Sequence, residues 1–330
     1  MNRAVRKLLV VTKRSAYDLY VVQHNDLHVK TMVEAKYNQL VCNLTDRHLA
    51  HSNAVSKCHE VLEKCGVQWQ SIRRDELREP IQGVDLVITI GGDGTMLETS
   101  HFLDDKIPMI GINSDPTKQT EVEERLQDYD AKRSTGYLCA ATTDDFEQVL
   151  DEVLSGTRLP TEVARIKATV DGALCLPPVL NDVLLAHPSP ASVSRCNYYI
   201  QKVKGLKEGE DGVLVSPSIH SRSSGLRVCT AVGSTAATRS AGGFRMPFLS
   251  KNLQYMLREP LQPHPRHKNY LHGLILDDEV MKVKWGSRQG RIFADGSHLS
   301  RELQIGSSIE ITSKAPVLQL YPGTKLISKK

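Results

Sequence analysis

The stretch Gly91-Gly92-Asp93-Gly94-Thr95 decides how the rest of this chain is interpreted. It follows the apolar run VDLVITI at residues 84–90 and precedes a helix-like stretch that begins near Met96. The pattern predicts a glycine-rich turn between a buried strand and a helix. Glycines let backbone N–H groups approach an anion closely, and the start of a helix adds partial positive charge. We expect a nucleotide polyphosphate to bind there.

Asp93 is the acidic residue of this turn. Its carboxylate can hold a magnesium ion, or accept the proton of an alcohol that attacks a phosphate. The structural alternative is a tight turn in which Asp93 caps the following helix. The full five-residue string is more specific than an isolated GxGxxG.

The composition is typical of a soluble enzyme. The chain has 330 residues, of which 40% are hydrophobic and 24% charged, and this length suggests about two domains. The 42 basic and 38 acidic residues give a net charge of +4, which is too balanced to indicate nucleic acid or an anionic membrane as a partner. Any anion binding must therefore be local.

The seven cysteines are scattered, with no C-x-x-C pair and no Cys/His cluster at zinc-ligand spacing. This pattern predicts reduced thiols, and we assign no metal ligands from it. The apolar run at residues 8–11 is too short for a secretory signal, and no stretch has the length of a membrane span. The ending Ser328-Lys329-Lys330 lacks the final leucine of a Ser-Lys-Leu peroxisomal address. We expect a cytoplasmic protein, with the peroxisome as the alternative.

The pattern of apolar runs changes along the chain. Residues 1–156 alternate short apolar runs with longer helical patterns, which predicts an α/β nucleotide-binding domain with a mostly parallel sheet. Ligands bind such sheets beyond the carboxyl ends of the strands. Short strand-like runs then predict a β-rich domain over residues 157–305. Within it we expect a loop at residues 209–223, and at 292–296 a hairpin with an Asp-Gly turn.

Two further clusters lie in the β-rich half. Asn181 and Asp182 precede a predicted strand, where an amide and a carboxylate can grip a base edge or ribose hydroxyls; the alternative is a turn pair that caps the strand. Residues 223–237 read as a strand followed by a small-residue, hydroxyl-rich turn into a helix. That turn suits close approach of a second nucleotide, or tight helix packing.

In order and approximate spacing, these clusters resemble the NAD kinase family. Residues 91–95 match its GGDGT box, Asn181-Asp182 its Asn-acidic pair, and residues 230–235 its Thr-x-x-Gly-Ser-Thr segment. GGDGT also occurs in lipid kinases of the diacylglycerol and sphingosine type, which the Gly-Ser-Thr segment separates from NAD kinases. Residues 113–116, 133–136, 222–227 and 240–244 are most similar to plant-type NADH kinases.

The resemblance implies a fold and an activity. The fold is a Rossmann-like N-terminal domain, a β-sandwich C-terminal domain, and a tail at residues 306–330 that returns to the first domain. The activity is transfer of the ATP γ-phosphate to the adenosine-ribose 2′-hydroxyl of NADH, and less well of NAD⁺, giving NADPH or NADP⁺. Mg²⁺ or Mn²⁺ would assist, in a homodimer.

The resemblance also assigns residues. Asp93 would be the catalytic carboxylate that orients or deprotonates the 2′-hydroxyl. Phosphate-binding and dinucleotide-binding residues follow from the matched motifs: Gly91, Gly92, Gly94 and Thr95 for the phosphates, and Asn181, Asp182, Ser224, Thr230, Ala231, Gly233, Ser234 and Thr235 for the dinucleotide.

Three departures from the common family pattern matter. Ala237 stands where most members have a tyrosine, Ser224 replaces the aspartate of an Asp-Gly pair, and a polar insertion occupies residues 114–133. Because oxidised nicotinamide is cationic, loss of a nearby carboxylate predicts a preference for NADH over NAD⁺. No role follows for the insertion. Two alternatives stay open: a lipid kinase of the GGDGT superfamily, and a protein that senses NAD(P)(H) without turnover.

Overall fold

The computed structural model describes residues 7–35, 39–124, 132–203, 212–323 and 326. Residues 125–131 of the insertion, and the ending Ser328-Lys329-Lys330, lie outside this part. The chain divides into two compact units, Met1–Thr161 with Gln319–Lys330, and Glu162–Leu318. The predicted boundaries were after residues 156 and 305.

The strands of the described residues are numbered in chain order: β1 (Lys7–Thr12), β2 (Gln68–Arg73), β3 (Leu86–Gly91), β4 (Met109–Asn113), β5 (Ala141–Thr142), β6 (Thr161–Val163), β7 (Lys167–Val170), β8 (Ala173–Leu174), β9 (Asp182–Ala186), β10 (Ser194–Lys202), β11 (Val213–Leu214), β12 (Ile219–Ser223), β13 (Gly225–Cys229), β14 (Leu253–Arg258), β15 (His272–Ile275), β16 (Glu279–Trp285), β17 (Gln289–Ala294), β18 (Leu299–Gln304), β19 (Ser308–Thr312) and β20 (Leu318–Tyr321). The α-helices are α1 (Leu27–Glu34), α2 (Gln39–Lys64), α3 (Asp93–Ser100), α4 (Gln119–Glu124), α5 (Phe146–Leu154) and α6 (Ala237–Ser240). A π-helix covers Asp18–Gln23, and 3-10 turns cover Arg74–Glu76, Gly233–Thr235 and Pro265–Tyr270.

The first unit is built on one sheet with the strand order β2-β1-β3-β4-β20-β6, in which β5 also pairs with β4. The pairings of β1 to β5 are parallel. Every residue of β3 and β4 is buried, as expected for central strands of a parallel sheet covered on both faces. Side chains of α2 and α5, including Leu62 and Phe146, complete the same core. The predicted α/β domain is confirmed.

The second unit contains two antiparallel sheets. One has the order β11-β10-β16-β19-β7-β8, with β12 also on β10, and the other has the order β15-β14-β13-β9-β17-β18. Ile200 and Met281 of the first sheet and Val183 and Val228 of the second belong to a single buried cluster. The predicted β-sandwich is therefore confirmed.

The prediction of a loop at residues 209–223 is wrong for much of the described part, residues 212–223, which contains β11 and β12. β12 was missed because its buried positions are filled by Ile219, Ser221 and Ser223, and serines carry no apolar signal. The hairpin of β17 and β18 is confirmed, with Asp295 at φ 50° and Gly296 at φ 120° in its turn.

The last described strand, β20, lies beside β4 in the first unit, with Leu320 opposite Met109. β19 pairs with β16 and β7 in the second unit, so the returning segment begins near residue 319 rather than 306. All seven cysteines are free thiols. Within the described residues, no helix combines the length and apolar character that a membrane span needs.

Candidate functional site

The glycine-rich turn joins β3 to α3 as predicted, but its glycines differ in purpose. A Cβ added to Gly91 would lie 2.2 Å from the Thr95 hydroxyl oxygen, and one added to Gly92 would lie 2.5 Å from Ser134 Oγ. These two glycines therefore permit close packing. Gly94 is exposed and has no atom within 4 Å of its Cβ position, so a ligand can approach there. The Thr95 hydroxyl is buried without a hydrogen-bond partner among the described residues.

The Asp93 carboxylate is held by a loop more than forty residues further along the chain. Its Oδ1 accepts the Leu138 N–H at 2.8 Å, and its Oδ2 accepts the Tyr137 N–H at 3.0 Å and the Thr135 hydroxyl at 3.3 Å. A carboxylate offers about four lone-pair directions. Three are used here, so one direction stays available for a substrate hydroxyl or a cation. These contacts, made away from α3, argue against the helix-capping alternative.

Lys13 is a candidate that the sequence analysis missed. It directly follows β1, and because Thr12 pairs with Ile90 in register, Lys13 lies level with the start of the glycine-rich turn on the neighbouring strand. Burial lowers the pKa of Lys13, as do the cations Arg74 and Arg47, while Asp115 raises it. A partly desolvated ammonium group at the carboxyl end of a parallel sheet suits a phosphate. The sequence signal was a lysine placed directly after a buried strand.

His51 on α2 forms hydrogen bonds with the residues that directly follow β1 and β4. Its Nε2 lies 3.0 Å from the Lys13 carbonyl and its Nδ1 lies 2.8 Å from Ser114 Oγ. Burial, and then the charge of Lys13, lower the pKa of His51 to about 4. The ring is therefore neutral near pH 7, and its two contacts fix the residues that follow β1 and β4.

In the second unit, Asn181 and Asp182 lie at the start of β9, where they were expected. Asp295 holds this strand start, because its carboxylate accepts the N–H groups of Leu180 at 2.9 Å, Asn181 at 2.6 Å and Asp182 at 3.1 Å. The side-chain oxygen of Asn181 is buried and has no hydrogen-bond partner among the described residues. An orphaned amide oxygen suits a donor such as a base amino group. Asp295 was noticed in the sequence only as a turn residue.

Asp182 forms an ion pair with Arg227, which lies on the adjacent strand β13. Only 15% of the Asp182 side chain and 13% of the Arg227 side chain are exposed. Burial raises the pKa of Asp182, and the Arg227 guanidinium opposes that shift. The Nε of Arg227 is buried and lacks a partner among the described residues. The sequence analysis gave Arg227 no role, and no local pattern links it to a carboxylate on another strand.

The hydroxyl-rich turn after β13 uses its hydroxyls internally. Thr230 Oγ1 donates to the Leu180 carbonyl at 2.6 Å, and Ser234 Oγ donates to the Ala231 carbonyl at 2.6 Å. A Cβ on Gly233 would lie 2.1 Å from the Asn181 carbonyl oxygen. The turn therefore packs directly on Asn181. Contacts of residues 230–235 with a dinucleotide stay a prediction.

Ser224 is separated from that turn. It precedes β13, whereas Thr230 follows it, so six residue steps lie between them, or about 20 Å in an extended strand. The Ser224 hydroxyl donates to the Arg258 carbonyl at 3.2 Å. Within one copy of the chain, Ser224 is thus not gathered with Asn181 and residues 230–235.

No group of three or more His, Cys, Asp or Glu residues in the described part of the chain could hold a metal ion by itself. A cation such as Mg²⁺ does not need such a group, because proteins usually bind it through one or two carboxylates together with substrate phosphates. The remaining lone pair of Asp93 can supply one such ligand.

Comparison with known proteins finds NAD and NADH kinases as relatives of this chain. A family profile described as "ATP-NAD kinase N-terminal domain" matches residues 2–116. A "Probable NADH kinase" of Oryza sativa subsp. japonica is 46% identical over 286 residues, covering 87% of this chain and 86% of that protein. An "NADH kinase" of Arabidopsis thaliana is 45% identical over 320 residues, covering 96% of both chains.

Two solved structures share the fold at low sequence identity. An NAD kinase from Archaeoglobus fulgidus in complex with ATP superposes with a TM-score of 0.64 at 17% identity, covering 98% of this chain and 96% of that one. A yeast NADH kinase complexed with NADH gives a TM-score of 0.61 at 14% identity, covering 97% and 84% of the two chains. The fold predicted from the resemblance is confirmed.

Proposed function

Because the chain belongs to the NAD kinase family, we propose that it phosphorylates the adenosine-ribose 2′-hydroxyl of NADH, and less well of NAD⁺, with ATP as donor. The products are NADPH or NADP⁺ and ADP. The preference for NADH is supported by the two plant relatives, which are named as NADH kinases and align with 87% and 96% of this chain.

The observation that carries this function is the Asp93 carboxylate, which two backbone N–H groups and one hydroxyl hold with one lone pair left over. Asp93 accepts the proton of the ribose hydroxyl while the bond from that oxygen to the γ-phosphorus forms. The bond from the γ-phosphorus to the β–γ bridging oxygen breaks at the same time, and ADP leaves. Phosphoryl transfer requires mainly positioning and charge stabilisation from a protein.

Cationic groups near the carboxyl ends of the strands support the donor side of the reaction. Lys13 is surrounded by the charges of Arg74, Arg47 and Asp115, and its ammonium would neutralise phosphate charge as it develops. A divalent cation, Mg²⁺ or Mn²⁺, would add further neutralisation when bound through the substrate phosphates, because proton transfer uses the remaining lone pair of Asp93. His51 keeps Lys13 in place through the Lys13 carbonyl.

The dinucleotide side of the proposal rests on Asn181 and Asp182. The orphaned oxygen of Asn181 would accept the adenine amino group, and Asp182 would accept ribose hydroxyls. Asp295 orients both residues through their N–H groups. Ser224 and residues 230–235 stay predicted contacts.

The test is incubation of the purified protein with ATP, Mg²⁺ and either NADH or NAD⁺. NADPH and NADP⁺ are separated from their precursors by anion-exchange chromatography, because NADH and NADPH share one absorption band. Diacylglycerol and sphingosine serve as competing acceptors. We expect dinucleotide phosphorylation, faster with NADH. Nucleotide binding without product would instead support a sensor, and a phosphorylated lipid would support a lipid kinase.

An oligomeric state and a cellular location are also proposed. A homodimer is supported by the family resemblance, and light scattering coupled to gel filtration tests it. A cytoplasmic location is supported by seven free cysteines, which suit a reducing compartment. A fluorescent fusion tests it, with a peroxisomal pattern as the contrary result.

A further inference from the structure

Arg133 is the last residue of the polar insertion at residues 114–133, to which the sequence analysis assigned no role. Its Nη1 lies 2.9 Å from Asp115 Oδ1, and its Nε and Nη2 each lie 2.9 Å from one oxygen of Glu121. The Arg133 backbone N–H also donates to Thr117 Oγ1 at 3.0 Å. Only 11% of the Arg133 side chain is exposed. Two carboxylates therefore satisfy this guanidinium, so it is not a spare cation for phosphate.

The residue after Arg133 is fixed against the end of β4. The Ser134 N–H donates to the Asp115 carbonyl at 3.1 Å, and the Ser134 carbonyl accepts from Asn113 Nδ2 at 3.2 Å and from the Thr117 N–H at 3.2 Å. Ser134 Oγ also fills the space beside Gly92 that a Cβ would need. The insertion thus returns to the glycine-rich turn at a defined point.

From Ser134 the chain reaches Asp93 within four residues. Gly136 adopts φ +54°, and a Cβ there would lie 2.2 Å from Asn113 Nδ2, so this step requires glycine. The next two N–H groups, of Tyr137 and Leu138, are those that hold the Asp93 carboxylate. A continuous set of contacts therefore links the Arg133 ion pairs to Asp93.

We propose that Arg133 is a positioning residue, which holds Asp115 and Glu121 together so that the N–H groups of Tyr137 and Leu138 orient the Asp93 carboxylate for proton transfer. This inference rests on the proposed function for its kinetic consequence. Its structural consequence, the protection of two backbone N–H groups, does not depend on turnover.

The test compares Arg133→Met, Arg133→Lys and Glu121→Gln with Arg158→Met. Arg158 is a matched control: it lies in the same unit, pairs with Glu152 at 3.4 Å, donates to the Pro322 carbonyl at 2.7 Å, and has no hydrogen bond to Asp93 or to residues 133–138 among the described residues. Asp115 is left intact because it also acts on Lys13.

We expect Arg133→Met to lower kcat by about 10-fold to 100-fold with less than about threefold change in KM for ATP and NADH, the pattern of a misplaced catalytic group. Arg133→Lys and Glu121→Gln, which disturb the ion pairs less, are expected to give smaller losses in the same direction. They also keep the test open should the methionine variant fail to fold. Arg158→Met is expected to retain the parent kcat.

Two further measurements separate positioning from general damage. Hydrogen exchange at the Tyr137 and Leu138 amides should be about tenfold faster or more in Arg133→Met, and unchanged in Arg158→Met. In an Asp93→Asn background, Arg133→Met should cause little additional loss of kcat, because both act through one carboxylate. Unchanged exchange, fully additive kcat losses, or a rise in KM for ATP at constant kcat would each overturn the inference. A parent protein without turnover would overturn the proposed function, and the exchange result would still decide the role of Arg133.

Discussion

Replacement of Asp93 by asparagine separates the chemical role of this residue from its structural one. Asparagine keeps one oxygen and exchanges the other for an NH₂ group, which then faces either the Leu138 N–H or the Tyr137 N–H, at 2.8 or 3.0 Å in the parent. One backbone donor loses its acceptor. Such a loss costs about 1–3 kcal/mol when buried, and about 1–2 kcal/mol here because Asp93 is half-buried. That corresponds to about 2–8 °C in Tm for a unit of this size.

The kinetic effect of Asp93→Asn should be much larger than its effect on stability. Loss of a positioned proton acceptor lowers kcat by about 10²-fold or more, while KM for ATP and NADH changes little. The assay is the rate of NADPH formation beside thermal unfolding of the same samples. Asp144→Asn is the control, since Asp144 is 84% exposed and lies 3.8 Å from Lys57 in a solvated pair. A variant with the lowered Tm and the parent kcat would refute a catalytic role for Asp93.

Three further changes test the remaining electrostatics. Arg227→Met removes the cation that opposes the burial-raised pKa of Asp182. The native state of the variant then holds the Asp182 proton still more tightly than the parent does, so the variant should lose stability relative to the parent as pH rises above the unfolded pKa of about 4. A pH-independent loss in thermal unfolding would contradict this. His51 has its pKa lowered from 6.5 to about 4. Its neutral ring therefore contributes fully to the free energy of unfolding above pH 6.5, and this contribution is lost as pH falls from 6.5 through 4. Between pH 6.5 and 4, the free energy of unfolding of His51→Asn should therefore fall by roughly 3 kcal/mol less than that of the parent. Ser224→Asp should shift the ratio of kcat/KM for NADH to that for NAD⁺ towards NAD⁺ by about tenfold, equivalent to about 1.4 kcal/mol of attraction to the pyridinium; an unchanged ratio would remove this explanation of the NADH preference.

The sequence predicted those parts of the site whose determinants are local. A buried run, three glycines and an acid within a few residues specify a strand, a turn and a helix, and the structure has β3, the turn and α3 there. The start of β9 at Asp182 and the Asp-Gly hairpin follow from equally short patterns. In each case the residues whose pattern specifies the element are neighbours in the chain.

The parts that escaped prediction depend on partners far apart in the chain. Asp295 holds the N–H of Asn181 from 114 residues away, and Arg227 meets Asp182 across 45 residues. No periodicity records such pairings, because a charged residue on a strand looks the same whether it faces solvent or a partner. β12 was lost for a related reason, since buried serines give it no hydrophobic alternation.

If Arg133 positions Asp93 as we propose, an intact GGDGT turn needs support from a distant loop for turnover, and this bears on the sensor alternative. The turn supplies the carboxylate, but its orientation comes from residues 135–138, which reach it only because Gly136 and the Arg133 ion pairs bring the loop back. A protein that only senses nucleotides has no use for a carboxylate that three donors orient and leave with one free lone pair. In this chain the donors and the loop that carries them are all present, and the loop follows directly from the Arg133 ion pairs at the end of the insertion. Retention of that long-range support weighs more heavily for catalysis than retention of the five-residue motif.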